Sequence, residues 1–216
     1  MAKTRIGLEV LIEQRLDLVR GARVGLVTNH SAVNRNLVHS TDVLLSAGVN
    51  VTALFGPEHG VRGDVPEGRP VPSFVDQRTG VPVYSLYGQS RKPTPEMLAG
   101  LDLVMFDLQD VGCRFYTYIY TMAYVMKACS DAGKRFIVLD RPNPIGGEAV
   151  EGNVLDRNFA SFVGLFPILV RHGMTVGELA RFLNGQFGIA ADVEVVHCQG
   201  WKRATWWDET GLPWVP

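Results

Sequence analysis

Apolar positions change period repeatedly along this chain. Leu8, Leu11, Ile12, Leu16 and Val19 recur at helical spacing, and Gly21 supplies a stop. Val24–Thr28 then reads as a strand ending at Asn29-His30, and Val38–Ala47 as a helix ended by Gly48. Val49–Phe55 is the next predicted strand, followed by Gly56-Pro57-Glu58-His59-Gly60. Residues 57–82 contain nine Gly or Pro and show no period, which predicts a long loop; loops beyond about 12–15 residues tend to serve function or stay disordered. Val83–Tyr87 is a short predicted strand, and Thr94–Leu98 a helical turn with proline at its start. Leu103–Leu108 and Phe136–Leu139 are nearly continuous apolar runs, as strands buried on both faces require. Between them Ile119, Met122, Ala123 and Met126 mark one helix stripe, ended by Gly133. Thr175-x-x-Glu178 is a capping box opening a helix with Val176, Leu179, Ala180, Leu183 and Phe187 inward, and Val193–Val196 is a last strand. Strands separated by helices predict an α/β, Rossmann-like fold: a mainly parallel sheet with helices on both faces. Residues 1–200 form that domain. The tryptophan-rich stretch 201–216 reads as a linker, or as the start of a C-terminal domain missing from the chain.

Composition narrows the function classes. The 216 residues carry 21 Lys+Arg against 22 Asp+Glu, and a net charge of −1 argues against a nucleic-acid partner, which needs a surplus of cations. Forty-six per cent apolar residues exclude disorder, yet no apolar run approaches the ~18–20 residues of a membrane span. Three scattered cysteines without a CxxC leave neither a disulfide framework nor the usual thiolate zinc spacing. The N-terminus becomes charged too early for a signal peptide, so a cytoplasmic location is expected, or a secreted or periplasmic one if a leader is missing. The GxGxxG, P-loop and GxSxG motifs are absent, which disfavours dinucleotides, nucleoside triphosphates and acyl-serine chemistry. No cofactor is expected.

In such a sheet ligands bind beyond the carboxyl ends of the strands, and the polar residues gather there. Successive strand ends deliver Asn29 and His30, then Glu58 and His59, then Asp107, Gln109 and Asp110, then Asp140 and Arg141. Glu58 is the first candidate. Gly56-Pro57 fixes a turn directly off a buried strand, and a partly shielded carboxyl has a raised pKa suited to a general acid; its bland alternative is a cap or a pair with Arg62. Asp110 is the candidate second carboxylate, while Asp107 and Asp140 read more readily as loop organisers. Arg62, Arg114 and Arg141 follow strand ends and suit either a carboxylate-bearing ligand or internal salt bridges. Tyr116, Tyr120 and Tyr124 share helical spacing, with Tyr116 nearest the strand ends. His30, His59 and His172 lack metal-ligand spacing, so no metal site is expected.

Five blocks then combine: Val27-Thr28-Asn29-His30, Leu54–Gly63 with Gly-Pro-Glu-His-Gly at its centre, Phe106–Tyr118 with Gln-Asp-Val-Gly-Cys-Arg-Phe-Tyr-Thr-Tyr, Asp140-Arg141-Pro142-Asn143-Pro144, and Arg171-His172-Gly173-Met174-Thr175. Together they resemble the bacterial exo-β-N-acetylmuramidase family, glycoside hydrolase family 171, long classed as a domain of unknown function. The resemblance implies release of N-acetylmuramic acid from the non-reducing end of peptidoglycan fragments. It also implies a Rossmann-like N-terminal domain, a smaller C-terminal domain with the active site between them, and the acid role at Glu58. Asn29, His30, His59, Arg62, Gln109, Arg114, Tyr116, Asp140, Arg141 and His172 are placed in the cleft as substrate-binding candidates. Relative to that family the chain stops where the second domain would begin. Two other readings stay open: a metal-assisted hydrolase using His59, Asp64, Asp107 and His172, and a truncated glycan-binding module without catalysis.

Overall fold

The computed structural model describes residues 3–63, 73–88 and 90–216. In chain order these form helix α1 (Gly7–Gln14), strand β1 (Val24–Thr28), α2 (Ser40–Ser46), β2 (Val51–Gly56), β3 (Phe74–Val75), β4 (Pro82–Ser85), α3 (Pro95–Ala99), β5 (Leu103–Asp107), α4 (Tyr118–Asp131), β6 (Arg135–Leu139), α5 (Val176–Gln186), β7 (Val193–Val196) and α6 (Trp207–Thr210). The strands make one sheet in the order β3-β4-β2-β1-β5-β6-β7, parallel throughout except for β3 against β4. From β1 the chain builds outward to β2 and β4, then returns to β5 on the other side of β1. The order therefore reverses between β1 and β5, and their carboxyl ends frame the crevice where open α/β sheets hold ligands.

The central strands are apolar because both faces are covered. Every residue of β1 and of β5 is buried. On one face α4 and α5 pack Ile119, Met122, Met126, Leu179 and Leu183 against Val104, Phe106, Phe136 and Val138. On the other, Leu8 and Leu11 of α1 and Leu44 of α2 meet Leu26, Leu54, Met105, Ile137 and Leu139. α1 lies so close to β6 that a Cβ on Gly7 would sit 2.3 Å from the Asp140 nitrogen. The capping box opens α5 as expected, with Glu178 N donating to Thr175 Oγ1 (3.2 Å) and Thr175 N to Glu178 Oε2 (3.0 Å).

Two local expectations need correcting. The first helix does not run through to Val19. Arg15 leaves the helical region (φ −134°, ψ 29°), and a 3-10 turn over Leu16–Val19 carries Val19 into the core. The loop after β2 is also not wholly irregular, since β3 pairs with β4 at the sheet edge. Both β3 residues are exposed, so they leave no apolar alternation to detect. Residues 201–216 lie against the domain: Arg203 Nη1 donates to Gly173 O (2.8 Å), Trp207 N to Pro144 O (3.0 Å), and Leu212 joins the core around α1 and α2. Trp207 and Trp214 meet edge to face.

Asp107 closes β5 at the crevice and is 0% exposed; Arg141, just past β6, is 3% exposed. The guanidinium grips the carboxylate with both arms, Nε to Oδ1 at 2.6 Å and Nη2 to Oδ2 at 3.0 Å, and also donates to Val33 O (3.2 Å). One interaction thus ties β5, β6 and the loop after β1. Removing one partner strands a buried charge. Asp107→Ala should therefore cost about 3–5 kcal/mol in chemical denaturation, and the joint apolar replacement Asp107→Leu/Arg141→Met markedly less.

Candidate active site

A cleft of about 570 Å³ opens at the carboxyl edge of the sheet. Parallel pairing builds it. β2 and β4 are neighbours with Gly56 opposite Ser85, so both release the chain at the same edge. β2 releases Glu58 and His59; β4 releases Tyr87 and then Arg91. The third wall is Phe115–Tyr118, entering α4, and Ser161, Phe162 and Val163 of the long β6–α5 connection form the fourth.

Glu58 is partly buried, and the Thr117 hydroxyl donates to its Oε2 at 3.2 Å. The turn beneath it is closed by Gly60 N donating to Pro57 O (2.9 Å). His59 takes a left-handed backbone (φ 71°), a conformation that costs a non-glycine residue about 1–3 kcal/mol and persists only where the surroundings enforce it. Tyr116 and Tyr118 stand beside Glu58 with their rings edge to face, centroids 4.7 Å apart. Burial raises the pKa of both phenols. The neighbouring acidic groups Asp110 and Glu58 add to this at Tyr116, and the Tyr116 hydroxyl and Glu58 at Tyr118. Both stay neutral and can donate a hydrogen bond near neutral pH. Tyr116 precedes α4, so it does not share a helix face with Tyr120 and Tyr124. Tyr120 is buried with its hydroxyl on Arg114 O, and Tyr124 stacks on Phe162.

Behind the tyrosines is a buried polar layer. Asn29 lies beside the Tyr118 hydroxyl and accepts on Oδ1 from Ser31 N (3.0 Å) and Ser31 Oγ (2.7 Å). His39 caps α2 by accepting from Thr41 N on Nδ1 (3.3 Å), which leaves Nε2–H to donate to Asn29 O (2.9 Å). Asp110 is 4% exposed and lies below the cleft surface. Its Oδ2 accepts from Gly112 N (2.8 Å) and from His172 Nε2 (3.2 Å), the latter oriented because Nδ1 accepts from Met174 N (3.2 Å). Asp110 Oδ1, Asn29 Nδ2 and Gln109 Oε1 are buried without a hydrogen-bond partner among the described residues.

Of the other candidates, few reach the cleft. Arg62 grips Asp76 with both arms, Arg141 is buried on Asp107, and Arg114 donates to the carbonyls of Asn153 and Ile168, both at 2.7 Å. Each is engaged within the protein itself, the arrangement that the internal salt-bridge alternative describes for Arg62 and Arg141. Asp140 accepts from Gly177 N in the first turn of α5 (2.8 Å) and from Cys198 N (3.3 Å); burial raises its pKa and these N–H groups oppose the rise. Gln109 donates to Asp110 O and Pro142 O, bracing the loop. His30 bonds Pro216 O through Nε2 (2.9 Å). For the metal reading, Asp64 lies outside the described residues. Among the described ones no group of three or more His, Cys, Asp or Glu is placed to hold an ion. No helix among them is long and apolar enough to cross a membrane. Sequence reasoning missed Tyr87, Arg91, Thr117 and Phe162. The strand-end rule reaches the first two once β4 is seen beside β2.

Fold and site define an α/β protein with a doubly wound sheet, carrying one carboxyl among neutral tyrosines at its carboxyl edge. The chain belongs to the family described as exo-beta-N-acetylmuramidase NamZ, N-terminal, whose model matches residues 24–216. It is 54% identical over 214 residues to the peptidoglycan beta-N-acetylmuramidase NamZ of Bacillus subtilis (strain 168), covering 99% of this chain and 52% of that protein. Two DUF1343 family proteins from Bacteroides fragilis NCTC 9343, known from crystal structures, share the fold. One has a TM-score of 0.92 at 48% identity, over 100% of this chain and 55% of its own; the other 0.82 at 36%, over 94% and 54%. The chain thus spans about half the length of these relatives.

Burial holds the His39 pKa below its ordinary 6.5. Below that value the unfolded chain takes up a proton that the folded one resists, so stability is full above about pH 6.5 and falls as pH drops toward the folded pKa. His39→Asn keeps a side-chain cap but removes this titration. Denaturant midpoints should show wild type losing stability relative to the variant as pH falls through that window.

Proposed function

We propose that this chain carries the acid-bearing part of an exo-acting β-N-acetylmuramidase, with Glu58 as the proton donor. The reading is supported by the family and by one observation above all: Glu58 is the one carboxyl among the described residues lining the cleft, oriented by Thr117. Glu58 protonates the leaving glycosidic oxygen as the bond from that oxygen to C1 breaks. The oxocarbenium-like centre is then met either by the substrate's own 2-acetamido oxygen or by water. The position of Asp110 favours the acetamido route. At 4% exposure and held by Gly112 and His172, it suits organising the loop after β5 better than activating a water in the open cleft. Neutral Tyr116 supplies a hydrogen bond to the sugar, with Tyr118 packed edge to face against it. After cleavage water adds at C1 and its proton returns to Glu58, restoring the acid.

Positioned acids contribute about 10²–10⁴-fold. Glu58→Gln should lower kcat on a disaccharide ending in N-acetylmuramic acid by about that range. It should lower kcat less on a nitrophenyl muramoside, whose leaving group needs little protonation. Undiminished turnover of both substrates removes Glu58 from this role.

A further inference from the structure

Four arginines follow strand ends on the cleft side of the sheet, and three are consumed internally. Arg62 is gripped by Asp76, Arg141 by Asp107, and Arg114 by two backbone carbonyls. Arg91 differs. Its guanidinium carbon lies 3.9 Å from the centroid of the Phe162 ring and 5.9 Å from that of Tyr87. Tyr124 backs Phe162 with its ring within 8° of parallel. Among the described residues no carboxylate lies within ion-pair distance of Arg91, although it lines the same cleft as Glu58. A cation–π contact is made by the guanidinium charge as a whole rather than by spending N–H donors on a polar acceptor. The ring restrains the cation without using those donors, leaving the fork that receives a carboxylate with two hydrogen bonds.

We infer that Arg91 is the anion anchor of the cleft, gripping a carboxylate carried by the sugar that sits against Glu58. This rests on the glycosidase reading, and within it the matching group is the lactyl carboxylate. That ether substituent is what separates a muramyl unit from a glucosaminyl one. Arg91 is therefore a specificity-determining residue: it selects which sugar enters without touching the bond that breaks. Tyr87 and Phe162 fix where the cation sits. A cleft of about 570 Å³ is within the range that encloses a small ligand.

The test is binding, which needs no turnover. The intact chain is titrated calorimetrically with N-acetylmuramic acid and with N-acetylglucosamine. Hydrogen bonds to a charged group correspond to about 10- to 100-fold in affinity. The wild type should prefer the muramyl sugar by that factor, Arg91→Gln should bring the ratio close to one, and Arg91→Lys should recover part of it. N-acetylglucosamine binding should be unchanged in both variants, which shows that the fold is intact. In turnover, Arg91→Gln should raise KM for a muramoside with little change in kcat. No preference in the wild type, or a preference that survives in Arg91→Gln, overturns the inference. Loss of the Glu58 role would appear separately, as retained turnover in Glu58→Gln with the binding ratio untouched.

Discussion

The buried pair of Asp107 and Arg141 is the interaction on which the site depends. It stands where the strand order reverses, and it joins three segments that are distant in sequence: the ends of β5 and β6 and the loop carrying Val33. Such a pair is a weak source of net stability, because desolvating two ions offsets their attraction. Its effect is geometric. With Arg141 held on Asp107, the chain leaving β5 has one path, and that path sets Asp110, Gly112 and the entry to α4. Tyr116, Thr117 and Tyr118 inherit their positions from it.

The cleft is thus a surface laid over an organised polar layer. His39 holds the Asn29 backbone, Asn29 lies beside Tyr118, Tyr118 meets Tyr116, and Thr117 between them reaches Glu58. Each link is local, yet together they fix one carboxyl against two phenols that burial keeps neutral. On the other side β2 and β4, as parallel neighbours, bring an acid and a cation to one rim from segments about thirty residues apart. The left-handed backbone at His59 fits this account: strain is tolerated where the chain must turn sharply to aim the residue before it.

Much of the fold was legible because its determinants are local. The apolar runs of β1, β5 and β6 mark strands covered on both faces, and Thr175 with Glu178 announces α5 before any packing is known. β3 escaped because an exposed edge strand of two residues has no period. Glu58, His59 and Tyr116 were legible from one rule, that strand ends collect at one rim. The arginines were not. Arg62, Arg91 and Arg141 look alike in sequence, each a cation soon after a strand. What separates them is whether a carboxylate stands opposite, and Asp76 and Asp107 reach Arg62 and Arg141 only through the pairing of the sheet. The burial of Asp110 was not legible for the same reason, since it depends on where the loop after β5 lies.

The stretch 201–216 has an optical consequence. All four indoles of the protein, at positions 201, 206, 207 and 214, are confined to it, while the aromatic residues of the cleft rim carry phenol and phenyl rings. Intrinsic emission excited at the red edge therefore reports the seating of this one strap against the α/β body and is nearly blind to events at the rim. A sugar entering the cleft can leave the emission spectrum unaltered, whereas detachment of the strap shifts it while the sheet is still whole.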